Sequence, residues 1–551
     1  MKLTGAQIIA ECLLEQKVDT VFGYPGGAVL FIYDALYAYR DKIRHILTAH
    51  EQGASHAADG YARSTGKTGV VIATSGPGAT NLVTGIATAY MDSVPLVAIT
   101  GNVATSLLGR DSFQEVDITG ITMPVTKHNY IVKNIAQLAD TIREAFLIAQ
   151  SGRPGPVLID VPKDVTSQEY DYTPLQPCMQ TPNETALPCG LDEAIKMIDQ
   201  SQRPLIYMGG GVISSGISSD LLSFAEKGDI PVSSSIMGLG GFDAFHPLYV
   251  GMIGMHGTYA TAKSTQECDL LLVLGARFSD RVAGDRERFA KNAKIIHIDI
   301  DAAEIGKNVT PAVGVNGDLR SVLRQLTERI EAKTRPQWLT QINTWKKHGE
   351  DAQKPMPHQI IETVQSLLNP DDIIVTDVGQ HQMWTAQTYR FRKPRTFLTS
   401  GGLGTMGYGL GAAIGAKIAN PSRKVVLITG DGSFHMNLNE LTTLASYDLP
   451  VTVVVMNNRV LGMVRQWQKL FYEHRFSHTD PCRKTDIPAL AQAFGLTGMV
   501  IETPEQVLPV LSQALESNKP TVIDCRISKD DNVLPMIPPG GDADDMITTM
   551  D

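Results

Sequence analysis

The sequence predicts an α/β protein made of three doubly wound parallel-sheet domains. Three observations carry that expectation. Strand-length apolar runs alternate with segments of helical period, the runs end in glycine turns, and 551 residues are too many for one core. With 43% hydrophobic and 19% charged residues, the composition is that of a folded chain. Its 49 glycines suit many tight strand-to-helix turns.

The first block spans residues 1–170. It opens on MKLTGAQIIAECLLEQKVDT, an amphipathic helix pattern charged throughout, without the apolar core of a signal peptide. It closes on the strand PVLIDVPKD. The polar stretch SQEYDYTPLQPCMQTPNET then reads as a linker. A second block, 190–335, contains RPLIYMGGGV, DLLLVLGARFSDR and AKIIHIDIDAAEIGKN, and the charged segment from Arg329 to Pro355 ends it. The third block covers 356–530. The tail, 531–551, is too rich in Pro, Gly and Asp to form a regular element.

Blocks one and three share a pattern. GVVIATSGPGATNLVTGIATAYMDSVPLVAITG runs strand, T-S-G, small-residue helix, strand and I-T-G, and RTFLTSGGLGTMGYGLGAAIGAKIANPSRKVVLITGDG does the same with one extra helical turn. This points to a duplication. The alternative is coincidence, since small residues are demanded wherever a helix packs tightly on a parallel sheet.

A net charge of -10 argues against a nucleic-acid or anionic-membrane surface. The longest apolar runs, such as LPVTVVVM at 449–456, are far short of a membrane span. Six cysteines, at 12, 178, 189, 268, 482 and 525, form no C-x-x-C pair, so a reducing cytoplasm is expected.

The most specific chemical signal is ITGDGSF at 428–434 followed by MNNRVLG at 456–462. KVVLITG reads as a buried strand ending at Gly430, and ligands in such sheets sit beyond strand carboxyl ends. Gly430 and Gly432 allow close backbone approach to a diphosphate, and Ser433 can donate from the following helix. Asp431 supplies a hard oxygen, and the intervening length suffices for a helix and a return strand that brings Asn458 alongside. Such an all-oxygen set suits Mg²⁺. Taken singly, Gly-Asp-Gly and Asn-Asn are common turns. In the first block, HEQGA at 50–54 puts Glu51 at a strand-to-helix turn, where a carboxylate is also favoured simply by the helix dipole.

Together these stretches resemble thiamine-diphosphate enzymes, and the acetohydroxyacid synthases in particular. FGYPGGA at 22–28, TSGPGATN at 74–81, DSFQEVD at 111–117, SGRPGPVLIDVPKD at 151–164, GMIGMHG at 251–257, TDVGQHQMW at 376–384 and GMVRQWQ at 462–468 carry the likeness across nearly the whole chain. The resemblance implies a pyrimidine-binding first domain, an FAD-binding central domain and a diphosphate-binding third domain. It implies Asp431, Asn458 and the carbonyl of Val460 as Mg²⁺ ligands, and Glu51 as the carboxylate that shares a proton with the aminopyrimidine. Pro25, Gly27 and Asn81 would adjoin thiamine diphosphate. Gln380, His381, Gly430, Gly432 and Ser433 would hold its diphosphate end. Met406 would wedge between its rings, with Met463 nearby, although a methionine there is also ordinary core filling.

The helix pattern around Met463, Trp467 and Phe471 reads as a core stripe, but it begins at the metal loop. The resemblance makes Trp467 the wall that receives the second keto acid and Arg281 the partner of its carboxylate. Gln114 and Lys163 would line the pocket. For FAD it implies Arg153, Gly210, His256, Gly257, Thr258, Gly275, Arg277, Asp299, Asp301 and Asp318. By itself YMGGGV is a weak dinucleotide fingerprint, broken at Ser214. Two departures stand out: Ser279 where the family has aspartate, and Gly411 where it has proline, the latter read as a matter of helix stiffness.

The implied reaction decarboxylates pyruvate and joins the two-carbon unit to pyruvate or 2-ketobutyrate, the first common step towards valine, leucine and isoleucine. A small regulatory subunit is implied, as is a homodimer or homotetramer with active sites at the interface. The rival readings are an FAD-dependent pyruvate oxidase of the same fold and a non-catalytic paralogue.

Overall fold

Central strands such as Val70–Ala73, Leu270–Leu274 and Val451–Met456 are buried along their whole length. Parallel strands covered by helices on both faces read as unbroken apolar runs for this reason. The computed structural model describes residues 1–175, 188–348 and 354–549, so linker positions 176–185 lie outside the described residues.

Three six-stranded parallel sheets result. The first takes, in chain order, Thr20–Tyr24, Arg44–Leu47, Gly69–Ala73, Leu96–Asn102, His128–Ile131 and Pro156–Pro162. Numbered along the chain, they lie side by side as 2-1-3-4-6-5. The last sheet, Ile373–Thr376, Phe397–Leu398, Val425–Gly430, Val451–Asn457, Thr497–Ile501 and Thr521–Arg526, has the same order. The middle sheet, Pro204–Met208, Val232–Ser234, Tyr249–Met252, Leu270–Leu274, Lys294–Asp299 and Val313–Asn316, lies as 3-2-1-4-5-6, the order of dinucleotide-binding sheets.

The two outer sheets are therefore topological copies, but the sequence pattern paired the wrong strands. Gly69–Ala73 and Leu96–Asn102 are third and fourth in their sheet, whereas Phe397–Leu398 and Val425–Gly430 are second and third. Small residues recur at every tight helix-to-strand junction, so a local match does not fix which strands correspond. The equivalent helices are Glu51–Thr65 and Tyr408–Ala419, each following a second strand, and they pack against each other. A Cβ at Gly60 or Gly415 would overlap the backbone of Ala412 or Ala57. Gly411 faces the Gly53 carbonyl, 2.8 Å from where its Cβ would stand. That position is set by helix contact rather than by helix stiffness.

At the same seam Arg63 is buried between Asp59 (2.5 Å) and Asp92 (2.9 Å), and the Tyr408 hydroxyl donates to Asp59. Asp92 also accepts from the backbone of Gly401 and Gly402, fixing the approach to Met406.

Two further differences concern boundaries. The Pro336–Lys346 helix lies beyond residue 335, yet it packs on the central unit, where the buried Trp338 donates to Pro204 O. Among its described residues the tail holds only an isolated bridge, Met536 to Ile547, and a short 3₁₀ turn, but it is firmly docked. Val533 and Met536 are fully buried. Among the described residues no helix is long and apolar enough to cross a membrane.

Candidate active site

The predicted residues fall into two clusters and one cleft. In the first domain the Arg44–Leu47 strand leads through an extended His50, whose Nδ1 caps Gln52 N, into the helix that starts at Glu51. Glu51 is half-buried, and Asn81 Nδ2 donates to its Oε2 at 3.0 Å. Gly76, at φ +59, lets the 74–78 turn run against Gln114, whose carbonyl would lie 2.9 Å from a Cβ. Thr74 Oγ1 accepts from Ala28 N, tying FGYPGGA to the same turn. Pro25 and Gly27 lie exposed on this face, and nothing stands within 4 Å of the direction a Gly27 side chain would take. Lys163 is exposed at the start of its own short helix.

The second cluster lies at the end of the Val425–Gly430 strand. Neighbouring strands pair Gly430 with Met456, so Asp431 and Asn458 emerge side by side. Burial pushes the Asp431 carboxyl up to about 6, opposed by the Arg483 guanidinium 4.0 Å away and by the Asn458 N–H. Asn458 Nδ2 donates to Gln380 Oε1, and its Oδ1 accepts from Val460 N.

His381 is buried with Nε2 unpartnered, and burial pushes its pKa down to about 3, leaving the ring neutral. A Cβ on Gly430 would stand 2.8 Å from His381 Nδ1, and one on Gly462 would overlap Gln380. A buried carboxylate with only a distant cation and an orphaned imidazole nitrogen beside it together fit a metal-bound diphosphate. Among the described residues no three His, Cys, Asp or Glu side chains gather as a metal site.

Several of these side chains also have protein partners. Ser433 Oγ donates to Val378 O, and Gln380 Nε2 donates to Gln466 and to Asp531 O. Met406 reaches towards Gly432, and the turn that follows it is fixed by Asp377, which accepts from Gly407 N and Gly409 N.

A continuous cleft of about 2930 Å³ joins Met406, Met463, Trp467 and Arg281 to Arg153, Gly210, His256, Gly275, Arg277, Asp299 and Asp318. This is several times an ordinary small-ligand pocket. At the switch point of the central sheet a Cβ on Gly209 would overlap Gly275 O, so the glycines are required by the crossing itself. His256 Nδ1 is buried and unpartnered.

Gly257, Thr258 and Asp301 do not line the cleft. Thr258 instead caps the Tyr259–Glu267 helix. Arg153 is paired with Glu304 at 2.9 Å and Asp301 at 3.4 Å, Asp318 caps Ser321 N, and Arg277 donates to Met91 O. Glu51, Gln114 and Lys163 do not border this cleft either.

Arg281 rises from the Asp280–Ala283 turn of helix, and its guanidinium lies 5.4 Å over the Trp467 ring. Ser279 makes no side-chain cap to that helix. The Gly462–Phe471 helix buries only Gln466; Met463 and Trp467 line the cleft, Met463 also packing against the core of the third domain, and Phe471 is exposed.

Sequence reasoning missed Gln466, Arg483, Asp377 and Glu440. Gln466 is wholly buried and clasps both Gln380 and Val533 of the tail. A polar residue on the back of an apolar stripe was its one signal.

Three family models match the chain: the N-terminal TPP binding domain of thiamine pyrophosphate enzymes over residues 3–121, their central domain over 191–326 and their C-terminal TPP binding domain over 377–525. The chain is 48% identical to the acetolactate synthase large subunit of Parasynechococcus marenigrum, over 98% of this chain and 90% of that one. It is 48% identical to the probable acetolactate synthase large subunit of Methanocaldococcus jannaschii, over 98% and 94%. It is 47% identical to the acetolactate synthase large subunit of Corynebacterium glutamicum, over 99% and 90%. With all three domains matched and relatives this similar over 90% or more of their length, the chain belongs to the acetolactate synthase large subunits, a family of thiamine pyrophosphate enzymes.

Proposed function

We propose that the chain makes 2-acetolactate from two pyruvates, and 2-aceto-2-hydroxybutyrate when 2-ketobutyrate is the acceptor. Bound thiamine diphosphate would supply the electron sink for decarboxylation. The chain's own residues do the rest. Glu51, oriented by Asn81, holds a proton at the aminopyrimidine ring. Asp431, Asn458 and the Val460 carbonyl hold Mg²⁺, and the glycine turn with His381 receives the diphosphate. Arg281 grips the acceptor's carboxylate while Trp467 bounds its alkyl group.

The observation that carries this reading is the Arg281–Trp467 pair opening on the same cleft as Met406 and Met463. FAD is proposed for the glycine-lined part of that cleft, as a structural group, because the net reaction moves no electrons out.

Glu51 and Gln114 do not border the cleft. Phe113, next to Gln114, is 88% exposed, and Leu30 and Phe31, just after FGYPGGA, are exposed as well. Apolar exposure of this kind supports a second copy closing each site, in a homodimer or homotetramer. The large-subunit names of the relatives support a small regulatory partner. The free cysteines suit a reducing cytoplasm.

Purified chain given pyruvate, thiamine diphosphate and Mg²⁺ without oxygen or other acceptor should form acetolactate, and added 2-ketobutyrate should compete. Undiminished product from Glu51→Gln would sink the assignment of Glu51. Repeating the competition with and without FAD tests the flavin.

A further inference from the structure

We propose that Glu440 is a positioning residue for Glu51, acting from the third domain of the same chain through the backbone that delivers Glu51 to its site. The inference rests on the role given to Glu51 above. Glu440 is fully buried, and its carboxylate accepts from Ala49 N at 3.1 Å and His50 N at 3.0 Å, the two residues before Glu51. Thr443 Oγ1 donates to the same carboxylate at 2.6 Å. Two residues earlier, Leu47 N donates to the Tyr447 hydroxyl at 2.8 Å. The loop that carries Glu51 is therefore gripped by two side chains of the other outer domain.

Room for Glu440 is made by the glycine of HEQGA. A Cβ at Gly53 would overlap Glu440 Oε1, so this glycine, in mid-helix where alanine would favour the helix, is explained by the carboxylate it admits. Burial raises the Glu440 pKa, and its three donors, with the nearby His50, work against that. A buried acceptor aimed at two successive backbone N–H groups holds a loop more rigidly than solvent would. Glu440 also ends the segment that begins at Asp431, through the Asp431–Asn437 helix and the Leu438–Glu440 turn. Metal affinity is thus the control that separates positioning of Glu51 from disturbance of the metal site.

The test is Glu440→Gln in the full chain loaded with thiamine diphosphate and Mg²⁺. The amide keeps the shape but sets an N–H against one of the backbone N–H groups. The readout is exchange of the cofactor C2 proton with solvent deuterium in the absence of substrate, followed by NMR after acid quench. Exchange should slow about 10-fold, with kcat falling in step, while Mg²⁺ affinity and the KM for pyruvate change by no more than about twofold. Thr443→Val, which removes one donor, should slow exchange in the same direction by less, and it carries the test if Glu440→Gln does not fold.

Wild-type exchange in a folded, cofactor-loaded Glu440→Gln, or an equal loss of Mg²⁺ affinity, overturns the proposal. Glu51→Gln run in parallel keeps the two readings apart. If that variant exchanges at the wild-type rate, the role of Glu51 itself fails. If it loses exchange while Glu440→Gln does not, only the positioning role fails.

Discussion

The Arg281 guanidinium lies 5.4 Å over the Trp467 ring, although the two side chains come from different domains. A cation on an indole face is held in orientation; one Nη1 hydrogen goes to Met255 Sδ and Nε lies 3.6 Å from Asp280, which leaves Nη2 and the other Nη1 hydrogen for a carboxylate. Arg281→Lys should keep the charge and lose the bidentate grip. The expected result is a rise of about 10-fold in acceptor KM with pyruvate decarboxylation retained. Steady-state acetolactate assays checked against CO₂ release will show it.

Trp467→Leu should change selectivity more than rate. An apolar wall distinguishes methyl from ethyl by roughly 10-fold to 200-fold, and enlarging the space should move the ratio of the two products within that range. The product ratio in a pyruvate and 2-ketobutyrate competition measures it. An unchanged ratio would remove Trp467 from the acceptor pocket.

Asp160 gives a pH prediction away from the metal site. Burial pushes its carboxyl up to about 7 even though Thr100 Oγ1 and Asn102 Nδ2 donate to it. The folded state then binds this proton more tightly than the unfolded chain, whose ordinary value is 3.8. The stabilisation is complete below 3.8 and is lost as pH rises through about 7. Three units correspond to something on the order of 4 kcal/mol. Asp160→Asn can keep both partners, since Thr100 can accept as well as donate, and it should flatten stability between pH 4 and pH 8. Denaturant titrations across that interval decide the matter.

Removing the tail after residue 530 should destabilise the third domain and weaken cofactor binding together. It exposes the surface under Val533 and Met536 and strips Gln466 of its partner at Val533. Each buried apolar side chain contributes about 1.5 to 3 kcal/mol, and an unsatisfied buried amide costs about 1 to 3 more. A lower Tm with unchanged thiamine diphosphate affinity would disconnect the tail from Gln380.

Gly60→Ala should lower stability by about 1 to 3 kcal/mol, because its Cβ has nowhere to go against Ala412. Calorimetry is expected to show loss of cooperativity between the outer domains, since the Glu51–Thr65 and Tyr408–Ala419 helices are the seam between them.

The amino-acid order alone determined what depends on near neighbours. Buried parallel strands announce themselves as unbroken apolar runs, and strand-end glycines mark the turns where ligands approach, so the three sheets and the GDG…NN pairing of Asp431 with Asn458 were legible. Tertiary structure alone decided what depends on partners hundreds of residues away. Repeating small-residue patterns could not say which strands of the outer sheets correspond, because every tight junction selects the same residues. Glu440 looks like any helix glutamate until the fold sets it against the backbone before Glu51. Gln466 looks like surface until the tail closes over it. The cap that Thr258 gives its helix and the ion pair of Asp301 with Arg153 were hidden for the same reason: a polar side chain goes to whichever partner the assembled fold brings nearest.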